Sequence, residues 1–247
     1  MMLDPYRKPR EWFQLLVGHL APDAILDIGS RNGKDALILR EYAPDALIMA
    51  FEATPESAHI MEADPELKAA RIEARHAAVG ATDGTATFSI FSERKRMGSL
   101  RVATHRAVIQ TIAVPATRVD SIPEIKDKKN IALWVDVEGA TYEVLDGAQQ
   151  TLLRVLLLHL EVETAQLWEG QKTVDDIRRL LKKQGFVSIA ERIEPEHQQG
   201  NIVCIRETLL QDPRVARFIR SQNRRAALSR FASRIHLKRY APFLFSR

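Results

Sequence analysis

Apolar positions follow two rhythms along the chain, one helical and one of short unbroken runs. Trp12, Leu15, Leu16 and His19 recur at helical spacing, predicting an amphipathic helix over 11–20. The run AILDIG at 24–29 reads as a buried strand closed by Asp and Gly. Residues 34–42 fit a helix that stops before Pro44, and ALIMAF at 46–51 is a second buried strand. Pro55 suits the first turn of a helix reaching about residue 62. A third strand is predicted over 71–79. Strand and helix alternating at this spacing imply a doubly wound, mostly parallel sheet with helices on both faces.

Further on, 85–91 (TATFSIF) alternates after the Asp83-Gly84 turn signal and predicts an extra strand. A polar, basic loop is expected at 92–106, a strand at 108–114, and a clear buried strand at 131–137 (IALWVDV). A helix follows at 141–150, then a strand at 155–162 and an amphipathic helix at 174–183 stopped by Gly185. The segments 186–191 and 201–206 predict a closing hairpin. From Asp212-Pro213 onward, Val215, Phe218, Ile219, Leu228, Phe231 and Ile235 recur at helical spacing among arginines.

Composition narrows the class. At 247 residues, 45% hydrophobic and 28% charged, the chain has the balance of an ordinary globular protein. The lone cysteine, Cys204, excludes an intrachain disulfide and a cysteine-based zinc site, and fits a reducing cytoplasm. The start, MMLDPYRKPREW, has no apolar core of a signal peptide. No apolar run approaches the roughly 18–20 residues of a membrane span. The net charge of +4 conceals a division. Residues 206–247 carry 11 Lys and Arg against Glu207 and Asp212, or +9, and the preceding 205 residues carry −5. An acidic body therefore bears a basic tail, which predicts an anionic partner for the tail.

Three strand exits hold candidate chemistry. At the first, Asp27, Gly29, Ser30, Arg31 and Gly33 form a glycine turn, which allows close backbone approach to a ligand. At the second, Glu52 stands 19 residues after Gly33, the spacing of an acid that binds a ribose diol, and Ala53 follows it. An acid there also suits capping of the next helix. At the third, Asp136 and Glu138 bracket a buried strand end before Gly139, where carboxylates are costly without partners. His159, in the apolar run LLLHLE, reads first as a core histidine, and His105 as an exposed one.

In order along the chain, Asp27-x-Gly29-x-x-x-Gly33, Phe51-Glu52-Ala53-x-Pro55, Ala77-Ala78-Val79-Gly80, Ser99-Leu100, Val119-Asp120 and Glu161 resemble the FkbM family of S-adenosylmethionine-dependent methyltransferases. The run from Asp136 to Ala148 (DVEGATYEVLDGA) is the most family-specific piece. Ser30-Arg31 replaces the family's usual Ala-Asn, and Ala53 its usual Pro. The resemblance implies a class I methyltransferase fold, Rossmann-like, with seven strands of which the last is antiparallel. It further implies O-methyl transfer, often to a sugar or secondary metabolite. Asp27, Gly29 and Gly33, with Ser30 and Arg31 in the same turn, would line the methionine part of the S-adenosyl-L-methionine cofactor. Glu52 would bind the ribose, Ala53, Ala78 and Val79 would lie by the adenine, and Asp136 would stand at the mouth of the site.

A hydroxyl acceptor calls for a general base, and Asp136, Glu138 and Glu161 are the candidates. No metal site is required, although these carboxylates could gather Mg²⁺. The expected organisation is a helical lead-in at 1–23, a methyltransferase domain at 24–206 and a basic amphipathic tail at 207–247. The tail's partners are read as the body itself, a second copy of the chain, or an anionic membrane surface met by 212–247. The last would make a cytoplasmic enzyme peripheral at the inner membrane face. Nucleic acid is disfavoured, since no RNA-binding motif accompanies the tail and no Asn/Asp-Pro-Pro-aromatic segment follows the fourth strand. A scaffold with a degenerate methyltransferase domain is the rival reading.

Overall fold

The computed structural model describes residues 7–91, 98–104 and 107–234. The strands are β1 (Ala24–Ile28), β2 (Leu47–Glu52), β3 (Ile72–His76), β4 (Ala78–Val79), β5 (Gly84–Ile90), β6 (Gly98–Ser99), β7 (Gln110–Thr117), β8 (Ile131–Val135), β9 (Val155–Glu163), β10 (Phe186–Glu194) and β11 (Gln199–Arg206). The helices are α1 (Pro9–Leu20), α2 (Lys34–Tyr42), α3 (Pro55–Ala63), α4 (Pro65–Ala69), α5 (Thr141–Asp146), α6 (Val174–Lys183) and α7 (Pro213–Arg234).

Seven strands form one sheet in the order β10-β11-β9-β8-β1-β2-β3. Strands β3, β2, β1, β8 and β9 run parallel, and β11 is antiparallel to both β9 and β10. This is the class I methyltransferase topology that the resemblance implied, with the last strand reversed. Alternation along each strand feeds two cores. Leu26, Leu133, Leu158 and Cys204 face α5 and α6, whereas Ile25, Trp134, Leu157 and Val203 face α1 and α2. Helix α6 starts at a capping box in which Thr173 and Asp176 satisfy each other's backbone amides.

The strand expected over 71–79 is two strands. It leaves the main sheet at Ala77, whose amide donates to Glu52 O, and Ala78–Val79 pair with β7 instead. The segments expected at 85–91 and 108–114 join them as a separate four-stranded sheet, β4-β7-β5-β6. A period of two identifies a strand but not its sheet, and β5 is wet over its first half and buried over its second. The helix expected over 141–150 ends at Asp146, where Gly147 passes too close to Gly80 O for any side chain.

Helix α7 packs Val215 and Ile219 into the core shared with α1 and α2, and Phe218 stacks on His19 with ring centroids 4.1 Å apart. The first turns of the expected tail are thus part of the body's packing. Leu228 and Phe231, further along, are exposed. Ile235 lies outside the described residues, as does His105. Among the described residues, no helix is long and apolar enough to cross a membrane.

Candidate active site

Parallel strands all end on one side, so the loops after β1, β2 and β8 converge there. Between them opens a cavity of about 510 Å³, a size typical of small-molecule sites. Gly29, Ser30 and Arg31 line it from the first loop, Glu52 and Ala53 from the second, and Ala78 and Val79 from β4. Asp136, Glu138 and Glu161 line it from the ends of β8 and β9. Ten of the twelve predicted site residues therefore meet around one space. The other two, Asp27 and Gly33, stand behind the wall.

The glycine turn is built by backbone fit. Gly29 has φ +84°, and a Cβ there would lie 1.8 Å from Asp136 O. Its amide and that of Ser30 both donate to Phe51 O, at 3.0 and 2.9 Å. Gly33, at φ +73°, begins α2, and a Cβ there would run into Leu67. Arg31 adopts a left-handed φ of 57° and donates its amide to Glu52 Oε2 at 2.8 Å. Glu52 Oε1 accepts Thr54 N–H at 2.7 Å, ahead of α3. Glu52 thus ties two loops together while facing the cavity. A carboxylate has about four lone-pair sites, so it retains capacity for ligand hydroxyls.

Asp27 is buried and accepts a 2.5 Å hydrogen bond from Ser30 Oγ. Burial pushes its carboxyl up to about 7, with neighbouring Asp35 and Asp136 adding to the rise and Ser30 opposing it. Folding therefore favours the protonated acid. The stability this confers is full below the ordinary carboxylate pKa near 4 and is lost as pH rises through about 7. Asp27→Asn, whose amide can donate to the Ser30 hydroxyl, is expected to be more stable than wild type at pH 8, by up to about 4 kcal/mol, and little different at pH 4.5. Thermal melts at both pH values check this, and an advantage independent of pH would contradict it.

The carboxylates at the mouth form a graded set. Asp136 and Glu161 are hydrogen-bonded to each other and both are raised, chiefly by burial. Glu161 is raised further, because Asp136, Glu138 and Glu163 surround it with like charge. A proton shared by the pair therefore favours Glu161 over Asp136. Glu161 Oε2 also accepts Glu138 N–H at 3.2 Å. Glu138 sits at φ 48° beside Gly139, where a Cβ would collide with the Trp168 indole. Among the described residues, no group of three or more His, Cys, Asp or Glu is arranged to hold a metal.

Three neighbours escaped the sequence reading. Arg10 pairs with Asp35 and lies over the Trp134 ring at 5.2 Å, and both residues line the cavity. Glu163, almost fully buried, is pushed up to about 7 by burial and by Glu138 and Asp136. Only the fold brings Arg10, ahead of the first strand, to this place, and no local pattern signals it. His159 is the core histidine expected. It stacks on Trp134 at 3.7 Å, and burial with Arg10 nearby lowers its pKa to about 3, so it is neutral.

A family profile described as "Methyltransferase FkbM domain" matches residues 27–188. The protein 2-O-methyltransferase NoeI of Sinorhizobium fredii (strain NBRC 101917 / NGR234) is 29% identical over 176 residues, which are 65% of this chain and 72% of that protein. Among solved structures, methyltransferase FkbM from Methylobacillus flagellatus KT aligns with a TM-score of 0.47 at 13% identity, over 75% of this chain and 44% of that one. The O-methyltransferase from Bacillus cereus in complex with SAH aligns with a TM-score of 0.45 at 13% identity, over 79% of this chain and 78% of that one.

Proposed function

This chain belongs to the FkbM family of S-adenosylmethionine-dependent methyltransferases, and on that premise we propose that it methylates a hydroxyl oxygen of a sugar or a related hydroxylated metabolite. The observation that carries the reading is the Asp136–Glu161 pair, two buried carboxyl groups hydrogen-bonded to each other at the mouth of the cavity. A hydroxyl is a weak nucleophile that must lose a proton as it reacts, and a positioned base contributes roughly 10²–10⁴-fold. The curated relative named as a 2-O-methyltransferase supports an oxygen target.

The cavity suits the cofactor. Gly29 lets the first loop close against the Asp136 backbone beside the cavity, Glu52 offers carboxylate lone pairs at the end of β2, and Ala53, Ala78 and Val79 supply an apolar wall. The five carboxyl groups of the lining, Asp35, Glu52, Asp136, Glu138 and Glu161, outnumber its cations Arg10, Arg31 and Lys34, a balance that favours a cation. When bound, S-adenosylmethionine supplies an activated methyl group on a positively charged sulfur. The protein's own part is positional and acid–base. Asp136 accepts the acceptor's hydroxyl proton, and Glu161 keeps the Asp136 oxygens oriented through their shared hydrogen bond. Orientation of the two reactants accounts for on the order of 7–11 kcal/mol in well-ordered sites.

Calorimetric titration with S-adenosylhomocysteine tests the cofactor assignment. Wild type is expected to bind, and Glu52→Ala to bind about tenfold or more weakly, as one or two charge-assisted hydrogen bonds are lost. Equal affinity for the two proteins would remove Glu52 from the cofactor's contacts.

A further inference from the structure

Beside the first cavity lies a second, of about 440 Å³, lined by Arg10, Trp134, His159, Arg192, Gln199 and Asn201 among others. The two share Arg10, Asp136 and Glu161 as a common wall. We propose that this second cavity is the acceptor subsite and takes a neutral pyranose unit, with Asn201, Gln199 and Arg192 setting specificity. The assignment rests on the methyltransferase reading above and adds where the acceptor sits and what it is made of.

Strand register supplies the first argument. On the α1 face of the sheet, Trp134, His159, Val203 and Ala190 lie in one cross-strand row. This row is apolar apart from His159, and the core beneath α1 covers it. One step toward the strand ends, the row is Glu161, Asn201 and Arg192, and the next is Glu163, Gln199 and Glu194. A sheet face under a helix is normally apolar throughout. Here it turns wholly polar over two rows, beginning where α1 starts at Pro9 and its first residues become part of the cavity wall.

His159 supplies the second argument. It is 3% exposed, lines the cavity, and its Nδ1 has no hydrogen-bond partner among the described residues. A buried polar atom left unpaired is costly, and a bound polar group that reaches it would offset that cost. The chemistry of the lining then selects the ligand class. Amides, a guanidinium, a neutral imidazole and carboxyl groups are donors and acceptors of the kind that hydroxyls satisfy. Trp134 offers no open face, since Arg10 and His159 cover it. The space therefore disfavours a flat aromatic or an alkyl acceptor. Its carboxylates, Glu194 and Asp136, stand against Arg192 and Lys8, and Arg10 is already paired with Asp35, so no net charge is demanded of the ligand. A hydroxyl held here and turned toward the common wall meets Asp136.

The test uses the full chain, tritium-labelled S-adenosylmethionine and a panel of methyl pyranosides of hexoses, 6-deoxyhexoses and N-acetylhexosamines. Wild type is expected to methylate at least one panel member. For that glycoside, Asn201→Leu and Arg192→Ala should raise KM about tenfold each, with kcat and S-adenosylhomocysteine affinity little changed. Arg192 is exposed at the rim, so its truncation leaves folding intact even if Asn201→Leu unfolds. Unchanged KM in Arg192→Ala, or an equal loss of S-adenosylhomocysteine affinity, overturns the assignment. So does a wild-type protein that binds S-adenosylhomocysteine yet methylates no panel member. Failure to bind S-adenosylhomocysteine at all would instead sink the methyltransferase reading beneath it.

Discussion

Asp136→Asn lowers the methyl-transfer rate by about 10²–10⁴-fold, the contribution of a positioned general base. The substitution keeps shape and removes the proton acceptor. Glu161 still has a hydrogen-bond partner, so the pair's geometry survives. S-adenosylhomocysteine, which lacks the sulfonium charge, should bind nearly as well as to wild type. The loss should therefore appear in kcat. The pH profile provides a second readout. Burial raises the Asp136 carboxyl, so wild-type activity rises with pH at higher values than an exposed aspartate would give. That rising limb should vanish in Asp136→Asn. Glu138→Gln is the comparison, since Glu138 lines the same cavity. If Glu138→Gln abolishes turnover and Asp136→Asn does not, the base is Glu138. Wild-type turnover in both would exclude either carboxylate as the base.

Gly29→Ala carries the second large effect, on folding and cofactor binding together. A side chain at φ +84° is strained wherever it is placed. Here the added methyl would also fall 1.8 Å from Asp136 O, a backbone atom that cannot step aside without moving the β8 exit. That exit is tied to the same turn by the 2.9 Å hydrogen bond from Asp136 N to Ile28 O. Destabilisation of about 3–5 kcal/mol is expected, or roughly 10 °C in melting temperature for a chain of this size. S-adenosylhomocysteine binding should be lost, because the first loop and the Asp136 loop shift together. Gly84→Ala is the control. Gly84 has φ +110° but nothing within 4 Å of its Cβ position, so only the backbone penalty of about 1–3 kcal/mol applies. A Gly29→Ala protein that melts and binds like wild type would show that the close packing of these two loops is unimportant.

The strand exits were legible from sequence because each combines a buried apolar run with a polar residue where no polar residue is comfortable. Asp27, Glu52, Asp136 and Glu161 all stand out in this way, and three of the four face the cavity. Helices α2 and α6 were legible to the residue, since Pro44 and Gly185 stop them by purely local chemistry. Arg10 and Asn201 had no such mark. Each is an ordinary polar residue in a polar context, and each becomes part of a site only because α1 and the last hairpin come to lie beside β9.

The order of residues alone carries the parallel α/β architecture, the reversed last strand and the glycine turn with its three acidic strand ends. These follow from local sterics and from a hydrophobic period that spans only a few residues, apart from the reversed strand, which came through the family resemblance. It takes the folded chain to show that β4, β5, β6 and β7 build a second sheet, that the start of α7 belongs to the body's core, and that Glu161 is raised further than Asp136. A strand's partner, a helix's docking face and a buried acid's pKa depend on groups remote in sequence. Burial and charge act through space, so the surroundings that raise Glu161 further than Asp136 exist only once β8, β9 and the loops around them are assembled.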